Sequence, residues 1–232
     1  MCDISHNKLG SMTEASQLHN LEAILDALDT VDDDDPTTLT CACQDAGIKP
    51  IVHPFWWNLP YTNIYHSITP NILHQLYQGI IKHLFAWVIG VFDADKINMQ
   101  CHHLPPNHNI QLFMKGISSL SCVTSQQHSQ MCCYLLDLIL DIHLPNGTSP
   151  SCLLQAICAL LDFLYLAQYP HHSTETMQLL DDTLLKFHKN KEIFIDMGIH
   201  EHFKIPKLYS PCHYVMYIKL FGSTDNYNTQ YT

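Results

Sequence analysis

Thr69-Pro70-Asn71-Ile72-Leu73-His74-Gln75-Leu76-Tyr77-Gln78-Gly79-Ile80-Ile81-Lys82-His83-Leu84 is the stretch that decides the fold. Thr69 has the side chain of a helix cap, and Pro70 fits a first helical turn, where its missing N–H is not needed. Beyond them, Ile72, Leu73, Leu76, Tyr77, Ile80, Ile81, Leu84, Phe85 and Val88 recur at steps of three and four, the apolar stripe of a helix laid on a core. The spacing predicts a helix from this start to about Gly90. Its other face carries Asn71, His74 or Gln75, Gln78 and Lys82. Asn71 and His74 then lie one turn apart at the helix mouth, where a carboxylate or imidazole could reach a metal or a phosphate.

Working outward, the remaining periodicity is also helical. Leu18, Leu21, Ile24, Leu25 and Leu28 predict a helix over Glu14 to Asp29, ended by Asp32-Asp33-Asp34-Asp35-Pro36, a solvated acidic turn. Thr37 to Ala46 reads as a second helix closed by Gly47. Ile51 to Asn63, with two prolines and the aromatics Phe55, Trp56, Trp57 and Tyr61, reads as extended and packed on the helical core. Ala94 to His102 is a short helix. Leu104 to Leu120 is a loop with one short strand at Ile110 to Phe113.

Thr124 with Gln127 forms a capping box for a helix carrying Met131, Leu135, Leu138, Ile139 and Ile142. Asn146-Gly147-Thr148 turns the chain. Ser149-Pro150 starts a helix whose broad apolar face (Leu153, Leu154, Ile157, Leu160, Leu161, Leu164, Tyr165) belongs at the centre of a bundle. Pro170 follows that helix, and Ser173 or Thr174 caps the next, with Met177, Leu180, Leu184 and Phe187 buried. Lys186, Lys189 and Lys191 sit at its C-terminal end, where the dipole favours cations. Ile205-Pro206 leads to a last helix through Tyr217 and Phe221, and the polar tail after Gly222 reads as frayed. The fold class expected is mainly α with a minor extended segment, divided into residues 1–50, with short helices and an acidic linker, and residues 51–232, a helical region.

Composition narrows the functions. The 232 residues are 47% apolar, enough for a sizeable core. All 11 basic residues are lysine, against 22 acidic ones, and the formal charge is -11. That balance repels a phosphate backbone, and without arginine the planar fork best suited to phosphate is missing, so weak DNA binding is expected. No N-terminal signal pattern and no uninterrupted apolar span of membrane length occur, so the expectation is a soluble, intracellular protein with no membrane partner. The 10 cysteines lack two pairs at zinc-ligand spacing, and His200-Glu201-His202 is not the zinc-protease pattern.

Together with His53-Pro54-Phe55-Trp56-Trp57-Asn58-Leu59-Pro60-Tyr61-Thr62-Asn63-Ile64, the opening stretch resembles the fungal DNA transposases of the Plavaka type, relatives of the CACTA-like elements. Blocks in the same order follow at Leu104–Asn109, Lys115–Ser118, Leu160–Pro170, Phe203–Leu208 and Asp225–Thr229. The resemblance implies a helical insertion of an RNase-H-like nuclease, DNA transposition, nuclear location if functional, and DNA or a full-length transposase as partner.

Two departures bear on activity. The family places Asp where this chain has Asn71, and a neutral amide cannot hold a hard Mg²⁺ as a carboxylate does. The family also continues with Glu-containing sequence where this chain reads Gln230 to Thr232. The expectation is a truncated, degenerate, catalytically inactive copy. Its degenerate metal position is Asn71, within the motif shared by His74 and Gln75, and no cofactor is expected unless residual nuclease activity requires Mg²⁺ or Mn²⁺.

Two further readings stand beside this one. The chain is a helical interaction module that pairs with a full-length transposase or another partner, or it is an active nuclease in which another carboxylate, such as Asp225, serves. Cys101, His102, His103, Gln111, Cys122, His143, Cys152, Gln155 and Cys158 fall where the resembling enzymes tend to carry arginine. Deamination of methylated CG codons would convert arginine to these residue types.

Overall fold

A computed structural model describes residues 21–30, 36–46, 48–52, 54–60, 63–140, 142, 144, 150–203 and 205–228. The expected helix residues Glu14 to Asn20, the acidic run Asp32–Asp35, Gly47, His143 and the Asn146-Gly147-Thr148 turn lie outside these. Helices, turns and irregular loops make up the described residues, with no strand among them. The chain forms two compact units, Met1–Thr69 and Pro70–Thr232.

In the first unit, α1 (Leu21–Asp29) and α2 (Pro36–Asp45) bury Ile24, Leu28, Leu39 and Cys43 between them, and Ala46, Ile48 and Trp57 pack against that cluster. The stretch expected to be extended contains a turn, with the Trp57 and Leu59 N–H groups donating to the Pro54 and Trp56 carbonyls, and ends in the single-turn helix α3 (Ile64–Ser67). Of the aromatics expected to pack on the helical core, Trp57 joins this small core, Phe55 is 77% exposed, and Tyr61 lies outside the described residues. Ten of the 22 acidic residues and two of the 11 lysines belong to this unit, so it carries -8 of the -11 formal charge.

The second unit opens with the deciding stretch. Helical structure begins at Ile72, capped by Asn71, rather than at Thr69 and Pro70. Asn71 has an extended backbone (φ -123°, ψ 126°), and its Oδ1 accepts the His74 N–H at 2.9 Å, so it meets the cap's requirements two residues further on. Residues Ile72–Ile81 wind more widely than an α-helix: the Lys82 N–H donates to the carbonyl of Tyr77, five residues back. The chain then continues without a break as α4 (Lys82–Phe92), two residues past the expected end. Leu76, Tyr77, Ile80, Ile81, Leu84, Phe85 and Val88 are buried as the periodicity requires.

Asp93, at φ 75°, turns the chain into α5 (Ala94–His103), and α6 (Ser125–Leu140) follows the long loop. The centre of the unit is α7 (Ser151–Ala167), which buries Leu153, Ile157, Leu160, Leu161, Phe163 and Leu164 and has its most extensive partner in α8 (Thr174–Asn190) through Leu180, Leu184 and Phe187. Each such side chain taken from water contributes about 1.5–3 kcal/mol. Met177, expected inside, is half-buried. Ser173 caps α8 reciprocally with Thr176, and the Ser173 Oγ accepts the Thr176 N–H at 3.2 Å.

After α8 come α9 (Ile193–Asp196), short 3₁₀ turns at Pro206–Leu208 and Ser210–His213, α10 (Tyr214–Phe221) and a last turn at Thr224–Asn226. Two expectations are overturned here. Ile110–Phe113 is not a strand, because the Gln111 N–H is satisfied by the Gln130 Oε1 of α6 at 2.9 Å instead of by a neighbouring strand. The described tail after Gly222, as far as Asn228, is docked: Thr224 is 1% exposed, and its hydroxyl donates to the Ala167 carbonyl at the end of α7, 2.7 Å away.

Candidate functional site

The helix mouth brings together Asn71, His74 and Gln75 as local geometry. The Asn71 side chain serves the His74 N–H, and its carbonyl accepts the Gln75 N–H at 2.9 Å. His74 is exposed and lies on the polar face, whereas Gln75 is half-buried with an Oε1 that has no hydrogen-bond partner. A hard divalent cation does not fit these residues. None is anionic, Asn71 already spends its oxygen on the cap, and no three His, Cys, Asp or Glu among the described residues are grouped to hold a metal. Asp225 is exposed on the Thr224–Asn226 turn and belongs to no such group.

Capping makes this position's energetics predictable. Asn and Asp cap about equally well, and a carboxylate at the positive end of the helix gains a little more. Asn71→Ala is therefore expected to lower stability by about 1 kcal/mol, and Asn71→Asp to leave it unchanged or slightly raised. Urea denaturation of the three proteins measures both.

One turn further along, the same helix forms the floor of a cleft of about 600 Å³. Gln78, Lys82 and Phe85 contribute from the helix, Ile117 to Val123 from the loop, and His128 and Met131 from α6. The helix exposes His74, Gln78, Lys82, Ala86 and Gly90, so the polar face read from sequence extends into this cleft.

The loop wall is held by Asn98 of α5. Its Oδ1 accepts the N–H groups of Ile117 at 3.0 Å and Ser118 at 3.2 Å, and its Nδ2 donates to the Ser118 hydroxyl at 2.7 Å. Gly116, at φ 85°, lets the loop pass so close that a Cβ there would fall on the Asn98 amide. Cys122 also adopts positive φ, 55°, and is exposed on the cleft. At the start of α6, the reciprocal bonds of Thr124 and Gln127 form as expected, at 2.9 and 3.2 Å.

His128 is 4% exposed and its Nδ1 lies 3.1 Å from the Thr124 carbonyl. A carbonyl only accepts, so Nδ1 carries the proton, and Nε2 of the neutral ring is left as an acceptor. Burial lowers the His128 pKa; the bond to Thr124 opposes this, and the nearby Lys82 charge adds to it. No carboxylate lines the cleft among the described residues, and Lys82 is its one formally charged group.

Other singled-out residues turn out to be packing. His200 sits edge-on to Trp87 with ring centroids 5.3 Å apart, in a cluster with Phe194 and Phe203. Lys191, expected as a dipole partner, does stand at the C-terminal end of α8, but it is 7% exposed and lies 5.3 Å over the Phe203 ring. The resemblance blocks also meet in space: the Tyr77 hydroxyl donates to Gln168 Oε1 at 3.2 Å, and a Cβ on Gly79 would stand 3.2 Å from the Lys207 side chain.

Gln78 and Lys82 lie on the face expected from sequence, whereas nothing in the sequence joined Cys122 and His128 in one cleft or made Asn98 the anchor of its loop. The only local signal was an asparagine placed one step after Ile97 in a short helix that buries only Ile97 and Cys101.

Among known proteins, the family model described as Plavaka transposase matches residues 1–88, which is all of the first unit and the opening of the second as far as Val88 in α4. No curated protein and no solved structure matches the chain. No described helix is long and apolar enough to cross a membrane.

Proposed function

We propose, from the Plavaka-type transposase relationship of residues 1–88, that the chain is a transposase-related fragment carrying helical, non-catalytic parts of such an enzyme. The observation that carries this reading is the engagement of Asn71. At the place where the resemblance calls for a metal carboxylate, a neutral amide closes the helix end instead. The helices of the second unit correspond in this reading to the helical insertion of an RNase-H-like nuclease. The absence of arginine and the lysine-only basic complement favour weak DNA binding.

A plasmid-nicking assay with Mg²⁺ or Mn²⁺ tests it. Neither the wild type nor Asn71→Asp is expected to nick above background, and nicking that appears on restoring the aspartate would overturn the reading.

The decay of the copy is part of the proposal. His102, His103, Gln111, Cys122, Cys152 and Gln155 are exposed and Cys158 is half-buried, positions where an arginine could stand without repacking. Cys101, 1% exposed, does not fit, because a guanidinium there would be buried in the core. Coding DNA with TG or CA where relatives carry CG supports decay at the exposed positions.

A second reading, an interaction module for a full-length transposase, is favoured by the compactness of Pro70–Thr232 and by its exposed Leu179, Leu185 and Leu220. Either way, nuclear location follows only if the protein works with a transposase.

A further inference from the structure

We infer that the cleft between α4, the Ile117–Val123 loop and α6 is a binding site for a small amphipathic anion: an apolar, preferably aromatic body bearing one carboxylate, sulfonate or phosphate group. This goes beyond the transposase reading and does not depend on it.

Four observations converge. The cleft's volume, about 600 Å³, falls within the range of small-molecule sites. Its walls combine apolar side chains, Phe85, Ile117 and Met131, with a few polar groups, Gln78, Lys82 and His128. Charge selects the ligand's sign: Lys82 faces no carboxylate in the cleft, so an anion would find an unopposed cation in a chain whose formal charge is otherwise strongly negative. The wall is fixed in advance, by three hydrogen bonds from Asn98 and by two positive-φ residues, Gly116 and Cys122. Backbone held in such conformations clusters at ligand sites, and a fixed wall spares a ligand the cost of ordering it. His128 adds a second directional demand, since its Nε2 accepts and so favours a ligand that also carries an N–H or O–H.

The test uses the full chain with 8-anilinonaphthalene-1-sulfonate, an aromatic sulfonate with an N–H, and its uncharged parent N-phenyl-1-naphthylamine. Fluorescence titration is expected to show the sulfonate binding about tenfold more tightly than the parent in the wild type and in Lys82→Arg. In Lys82→Gln that preference is expected to vanish. Lys82 is exposed, so the substitution leaves the core intact, and a thermal melt verifies this.

A second readout needs no variant. Alkylation by iodoacetamide, mapped by mass spectrometry, is expected to slow at Cys122 when the sulfonate is bound and to stay unchanged at Cys133 and Cys152, exposed thiols outside the cleft. Equal alkylation of Cys122 with and without the probe, or a sulfonate preference that survives in Lys82→Gln, overturns the proposal.

Discussion

Gly116→Ala is expected to be the most damaging single-methyl change in the second unit, at about 4 kcal/mol. Two costs add. A residue with a Cβ at φ 85° pays about 1–2 kcal/mol in backbone strain. The new methyl also displaces the Asn98 amide, which cannot swing aside without giving up its bonds to Ile117 and Ser118, each about 1 kcal/mol net. For a unit of this size the loss corresponds to a fall of roughly 10 °C in Tm. Asn98→Gly provides the control, because it removes the bonds together with the whole obstacle, including the Asn98 Cβ that would lie 2.6 Å from the new methyl. Adding Gly116→Ala to it should cost only the strain, about 1–2 kcal/mol. Additive losses in that double-mutant cycle would show that the clasp is not what Gly116 serves.

Acid is expected to destabilise the protein through His188. Both ring nitrogens of this residue are buried without a partner, and burial, with a smaller contribution from Lys191, lowers its pKa to about 4. Above pH 6.5 the ring is neutral in both the folded and the unfolded chain, and its contribution is complete. Between pH 6.5 and about 4 the unfolded chain takes up a proton that the folded one refuses, so stability falls with pH across that window and levels off below it. The shift corresponds to about 3 kcal/mol. His83, His128, His172 and His213, also lowered by burial, act in the same direction. Asp181, whose carboxyl burial raises, acts oppositely, its contribution being present in acid and lost as pH rises.

His188→Leu isolates the single residue. The variant should be more stable than the wild type at pH 7, since two unpaired nitrogens are gone, and its advantage should widen by about 3 kcal/mol by pH 4. Denaturation curves at the two pH values measure both quantities. An advantage that does not change with pH would mean the imidazole is solvated.

Much of the helical plan was legible because it rests on short-range rules. The stripe of α7, apart from Tyr165, which is exposed, the Thr124–Gln127 box and the Ser173 cap are set by spacings of three and four residues, and all three form. The misreadings share a different cause, a partner remote in sequence. Ile110–Phe113 has a strand's alternation, but the group that satisfies its backbone is a side chain of α6. The polar tail contains what the end of α7 lacks, a donor for the orphan carbonyl of Ala167, supplied across 57 residues by Thr224.

At the helix start, two cap signals competed. Thr69-Pro70 matches the rule, but Asn71 has the extended backbone and the side-chain bond. The candidate site divides in the same way. Asn71, His74 and Gln78 follow from one helix, whereas the cleft needs α4, α5, α6 and a loop at once, and no local pattern announces that.

The wide winding of Ile72–Ile81 realigns the two ends of the helix's exposed ridge. In an α-helix, residues four apart overshoot a full turn by about 40°, so a stripe at that spacing spirals around the axis. Where each turn takes roughly 4.4 residues, the same spacing undershoots by about 30°, and the stripe spirals the other way. The helix from Ile72 to Phe92 joins one kind of winding to the other at Lys82. Its exposed residues His74, Gln78, Lys82, Ala86 and Gly90 are spaced at four throughout. The two drifts oppose each other: the ridge veers by about 60° as far as Lys82 and swings back beyond it, so that His74 and Gly90 come to lie on nearly the same side of the rod.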